Sequence, residues 1–169
     1  MWSSSPSSEC RNIAKIMCQA TIKHRQETGL IADKRSLLGV NNYAATPQQV
    51  SLARHWVRGL LAQRVDDETL FDIAVCAGEL LDNARKHGRA DGVITASVYM
   101  GADTIRLEVM DDGSALTVPH VTESLETEDG RGLKIVATLA SRWGRHKDRD
   151  LNQIVWCEFS VPKERDEEK

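Results

Sequence analysis

From Thr46 onward the apolar positions of the chain fall into helical register. Val50, Ala53, Val57, Leu60 and Leu61 form one stripe running down to about Gln63. The stripe opens on Thr46-Pro47-Gln48-Gln49. Thr46 can cap, Pro47 suits the first helical position, and Gln49 completes a capping box. A second helix is predicted from Asp66 or Asp67, acidic residues that favour a helix N-terminus, to a left-handed cap at Gly88. Its stretch from Leu70 to Ala84 is almost wholly apolar. The period then changes to two. Ile94, Ala96, Val98 and Met100 alternate with Val93, Thr95, Ser97 and Tyr99, and Ile105, Leu107 and Val109 alternate with Thr104, Arg106 and Glu108. With Gly101-Ala102-Asp103 between them, these read as two antiparallel strands and a tight turn. Residues 114–130 show no period; Pro119 and several acidic side chains fit a mobile loop. A third helix is predicted over Gly132 to Ser141, and a closing strand over Ile154 to Val161, stopped by Pro162.

Before this region, residues 1–8 form a Ser-rich tail expected to be disordered. Ile13, Ile16, Met17 and Ala20 place a short amphipathic helix in residues 9–28, read as packed on the domain, with a partner or homodimer contact as the alternative. Gly29 and Gly39 punctuate a stretch that admits an edge strand before Tyr43. The organisation is therefore a tail (1–8), an extension (9–38), one domain (39–162) and a charged tail (163–169). Helices on one face of a mixed, mainly antiparallel sheet make a two-layer α/β sandwich.

Composition narrows the class. A chain of 169 residues with 41% hydrophobic and 28% charged residues fits a soluble globular protein. The net charge of −3 offers no basic footprint, so nucleic acid is not expected as a direct partner. No apolar run approaches the ~18 residues of a membrane span, and the start lacks the basic-then-apolar pattern of a signal peptide. Cys10, Cys18, Cys76 and Cys157 are scattered, without a Cys-x-x-Cys pair, as idle thiols in a reducing compartment would be. A cytoplasmic location is expected, with no membrane partner.

The candidate chemistry centres on Glu79 and Asn83, one helical turn apart and so on one face. A carboxylate there can polarise a hydroxyl or water, and the amide carbonyl is a hard oxygen ligand for Mg²⁺. Lys86 and His87 lie a turn further on and can meet phosphates, although cations at a helix C-terminus are favourable without any ligand. Asp111 ends the second strand of the hairpin, where a buried carboxylate can accept from an exocyclic amine, and Gly113 follows it. Gly130, Arg131, Gly132 and Leu133 open the third helix; glycines before a helix let its free N–H groups approach a phosphate. Each feature alone also has an ordinary explanation: a solvated face, a turn glycine, a capped terminus.

Taken in order, Glu-x-x-x-Asn, Asp-x-Gly and Gly-x-Gly-Leu resemble the three boxes of the GHKL ATPases, the superfamily of gyrase and the histidine kinases. With Ala53-Arg54-His55-Trp56-Val57-Arg58, Glu79 to Gly88, Arg131-Gly132-Leu133, Ser141-Arg142-Trp143-Gly144 and Val155-Trp156-Cys157-Glu158-Phe159, the chain resembles the small stand-alone ATP-binding proteins of actinobacteria, which are similar to the anti-sigma factor serine/threonine kinases. The resemblance covers roughly residues 40 to 162. It implies a Bergerat-type fold binding ATP and Mg²⁺, with Glu79 as general base, Asn83 as metal ligand, and Asp111 on the adenine amine. It also implies nucleotide contacts from Arg85, Lys86, His87, Gly113, Ala115, Gly130, Arg131, Gly132 and Leu133. Trp56, Trp143 and Trp156 read as core or ring-stacking residues.

The implied function is an anti-sigma factor that sequesters a sigma factor and phosphorylates a serine of an anti-sigma factor antagonist. The alternative is a non-catalytic, ATP-sensing adaptor that binds a partner protein. Two departures bear on the choice: Ala115 stands where a second glycine is common, and Ile154 where the last strand commonly has threonine. Both lean toward the adaptor, and the retained Glu79 leans back. His24-Arg25-Gln26 does not fit a phosphoacceptor helix, which disfavours a histidine kinase, and the short loop from Ser114 to Asp129 argues against a clamp-type cycle.

Overall fold

A computed structural model describes residues 35–112 and 128–161, with the backbone alone for 128–130. The chain divides into compact units Met1–Asp33 and Lys34–Lys169, and every described residue belongs to the second. The expected N-terminal tail and helix, Cys10 and Cys18, Gly113, Ala115 and the charged tail lie outside the described residues.

Strand β1 (Ser36–Ala44) comes first, then helices α1 (Pro47–Leu61) and α2 (Asp67–His87), the hairpin β2 (Val93–Met100) and β3 (Thr104–Asp111), helix α3 (Glu128–Leu139), and β4 (Arg142–Lys147) with β5 (Gln153–Ser160). The sheet order is β1-β2-β3-β5-β4. Every pairing is antiparallel, so among the described residues the sheet is not mixed. The boundary expected at residue 39 falls inside β1.

Local chemistry accounts for the ends of the elements. Thr46 Oγ1 accepts from Gln49 N–H at 3.3 Å, and Pro47 holds the first helical position. The reciprocal half of the capping box does not form, because Thr46 N–H donates to the Ala44 carbonyl. Asp66 caps α2, accepting from Thr69 N–H at 2.8 Å, with Asp67 and Glu68 at the positive end and Arg85, Lys86 and His87 at the negative end. Gly88 departs from expectation. Its φ of −76° and ψ of −172° are extended rather than left-handed, while its N–H still bonds the Ala84 carbonyl at 2.8 Å. What requires glycine there is space, since a Cβ would lie 2.6 Å from Ala84 O and 3.2 Å from the Asp111 Cβ.

The apolar stripes converge between helices and sheet. Ala53, Val57 and Leu61 of α1, and Ile73, Cys76, Ala77, Leu80, Leu81 and Ala84 of α2, meet Ile94, Ala96, Val98, Ile105, Leu107, Val109, Val155, Cys157 and Phe159. Strand β3 alternates strictly, burying Ile105, Leu107, Val109 and Asp111. This core fixes α2 over the sheet and so fixes the face carrying Glu79 and Asn83. Cys76 and Cys157 are both free and buried in it. Burial and the neighbouring Cys76 raise the Cys157 thiol well above its ordinary range, keeping it protonated; the Cys76 hydrogen bond is the largest cause. No described helix is long and apolar enough to cross a membrane.

The opposite sheet face carries charge. Glu158 is 4% exposed and accepts from Arg35 and Arg106, each at 2.7 Å. Arg106 also reaches Glu108 at 2.7 Å and lies 3.8 Å over the Trp156 ring. Burial pushes the Glu158 carboxyl up, but hydrogen bonds from Arg106 and Arg35 outweigh it and hold the group below its ordinary range.

Candidate functional site

A shallow, open cleft is lined by Glu79, Asp82, Asn83, Lys86 and His87 of α2, and by Gly132 and Leu133 of α3. The helical spacing of Glu79, Asn83 and His87 projects all three from one face, and the apolar opposite face of α2 anchors that orientation in the core. Glu79 and Asn83 are partly buried, accessible to a ligand yet restricted in rotamer. Leu133, 3% exposed, fastens α3 to the core directly behind the cleft.

Asp82, which spacing arguments did not single out, also lines this cleft. It accepts from Arg85 at 2.8 Å and from Lys86 at 3.0 Å. Burial raises the Asp82 carboxyl, but the hydrogen bonds from Lys86 and Arg85 prevail and hold it below the usual range. Part of the cationic rim is thus tethered to its own helix. The signal was the i,i+3 and i,i+4 spacing of an acid ahead of two bases.

Asp111 does not line the cleft; it is 6% exposed at the end of β3, beside the position where Gly88 lacks a side chain. Next to it, Asp112 Oδ1 is a buried oxygen against Gly92 with no hydrogen-bond partner among the described residues. A buried carboxylate at a strand end, such as that of Asp111, suits a ligand presenting N–H donors, as adenine does. The polar wall of Glu79, Asn83 and Lys86 fits a magnesium-bound polyphosphate. The described residues contain no group of three or more His, Cys, Asp and Glu able to hold a metal. Mg²⁺ held through one amide oxygen and phosphates, with water completing its shell, does not need one.

The third box is placed differently from expectation. Helix α3 begins at Glu128, so Gly130 and Gly132 lie inside its first turns rather than ahead of it. Arg131 is exposed on the same helix. Gly113 and Ala115 fall outside the described residues. Ile154 is buried at 8% exposure, paired with Met110 on one side and His146 on the other.

Residues 43–157 match the histidine kinase-like ATPase domain. The match spans more than half the chain, and the protein belongs to that family. A search of curated proteins gave no match. A domain of this family implies ATP binding.

Proposed function

We propose that this protein is an ATP-dependent protein serine kinase that also holds a sigma factor out of transcription and phosphorylates an anti-sigma factor antagonist. The observation that supports this most directly is the placement of Glu79 and Asn83 on one wall of a cleft whose opposite wall begins at Gly132. Bound ATP supplies the phosphoryl group. The Glu79 carboxylate takes the proton of an acceptor serine hydroxyl as its oxygen bonds to the γ-phosphorus and the bond from that phosphorus to the bridging oxygen breaks, with ADP leaving; such a base is worth roughly 10²- to 10⁴-fold in rate. The Asn83 carbonyl oxygen would hold Mg²⁺, which would supply positive charge to offset that of the transferred group. Lys86 adds positive charge at the rim, His87 offers a ring nitrogen to the phosphates, and Asp111 selects the base by accepting from its amine.

Radiolabelled ATP and Mg²⁺, incubated with the protein and candidate antagonist proteins, test the proposal. Label on an antagonist serine is the expected result. ATP binding without transfer to any cognate antagonist would instead identify a nucleotide-sensing adaptor, the reading that Ile154 favours by offering no hydroxyl at its own position.

A further inference from the structure

Glycine weakens a helix interior relative to alanine, yet Gly132 lies well inside α3. Its N–H does not explain the choice. In a helix starting at Glu128, the amide of residue 132 bonds back to the carbonyl of residue 128, so it is not among the free amides available to a phosphate. Nor does conformation explain it, since Gly132 has no left-handed φ. What lies against it does. A Cβ on residue 132 would stand 2.5 Å from Glu79 Oε2, 3.5 Å from its Cδ and 3.7 Å from its Cβ. The first distance is a clash and the other two are ordinary contacts.

We propose that Gly132 is the positioning residue for the Glu79 carboxylate, its bare Cα forming the floor on which that carboxylate rests. The inference rests on the reading of Glu79 as base and assigns the second glycine of the box a task other than phosphate contact. The conflict created by a methyl group is with the far end of a flexible side chain, not with backbone. The carboxylate therefore yields and the fold does not. Relieving a 2.5 Å approach moves Oε2 by the better part of an ångström. A misplacement of about 1 Å at a reacting group can cost roughly 10²-fold in rate.

The test is Gly132→Ala in the full-length chain. It should melt within a few degrees of wild type and bind ATP within a few-fold, while kcat for transfer to the antagonist serine falls roughly 10- to 100-fold at unchanged KM for ATP. Glu79→Asp, one methylene shorter, should cost less in the Gly132→Ala background than in wild type. A readout independent of turnover is the ¹³C-carboxyl resonance of Glu79, assigned by its loss in Glu79→Gln, which should shift in Gly132→Ala. Wild type without any transfer would sink the kinase reading alone, and the carboxyl resonance would still decide this one. If Gly132→Ala does not fold, adding Glu79→Asp should restore folding; failure to do so overturns the proposal. An unmoved Glu79 resonance in folded Gly132→Ala overturns it as well.

Discussion

Gly144→Ala is the most direct probe of the charged sheet face. Gly144 of β4 stands opposite Trp156 of β5, and a Cβ on it would lie 2.7 Å from Trp156 Cζ2, 2.9 Å from Cε2 and 3.2 Å from Nε1. Carbon atoms rest at about 3.5–4 Å, so the indole must lift by nearly an ångström. It has little room to do so. The Arg106 guanidinium covers the ring at 3.8 Å, and Arg106 is itself fixed by Glu108 and Glu158, each at 2.7 Å. Overpacking a filled layer costs typically ~1–3 kcal/mol, and alanine returns roughly 0.5–1 kcal/mol over glycine in a strand. The expected net loss is about 1 kcal/mol, or roughly 3–5 °C in melting temperature for a domain of this size. Urea unfolding followed by far-ultraviolet circular dichroism measures it, with an unchanged slope showing that the denatured state is not the cause. In a Trp156→Leu background the penalty should vanish. A Gly144→Ala variant as stable as wild type would refute the sandwiched-ring argument, and a penalty that persists without the indole would refute its assignment to Trp156.

Three further outcomes are expected. Glu158→Gln should lose on the order of 3 kcal/mol at neutral pH, because Arg35 and Arg106 lose their shared charge. The wild-type carboxyl titrates below its unfolded value of ~4.3, so its contribution is present above that pH and lost on acidification through the lower folded value; unfolding curves of the two proteins should converge there. Asp111→Asn should weaken ATP binding in calorimetry far more than it alters melting without nucleotide, and equal affinities would remove Asp111 from the base site. Glu79→Ala should keep ATP affinity within a few-fold and abolish transfer, whereas Asn83→Ala should reduce Mg²⁺-dependent affinity and transfer together; equal transfer by wild type and Glu79→Ala would withdraw the base assignment.

Most of the fold was readable because its elements are half-buried and therefore patterned. The stripe from Val50 to Leu61 and the alternation through Ile105, Leu107 and Val109 exist because one face of each element meets the core. Strand β4 escaped prediction for the converse reason. It is an edge strand whose Arg142, Arg145, His146 and Lys147 are exposed, with only Trp143 turned toward the core and half-buried, so Arg-Trp-Gly-Arg-His-Lys carries no period. The start of α3 escaped because Glu128-Asp129-Gly130 looks like loop; acidic residues equally suit a first helical turn, and the glycines masked that reading.

The site divides along the same line. Glu79 and Asn83 were visible because they lie on one regular helix, where spacing alone fixes a shared face. Relations between elements were not. Nothing in the sequence says that Gly132 lies under the Glu79 carboxylate, or that Gly88 leaves room beside Asp111, since each depends on how α3 or β3 approaches α2. In sequence a glycine suggests conformational freedom, as expected at Gly88, or close approach of free N–H groups to a phosphate, as expected at Gly130 and Gly132. At Gly88 and Gly132 the backbone uses no such freedom: one is extended and the other helical. The property in use is the missing side chain. If Gly132 positions Glu79 as proposed, the glycine serves as a close-packed contact rather than a phosphate contact, and the Glu79 carboxyl resonance in Gly132→Ala separates the two roles.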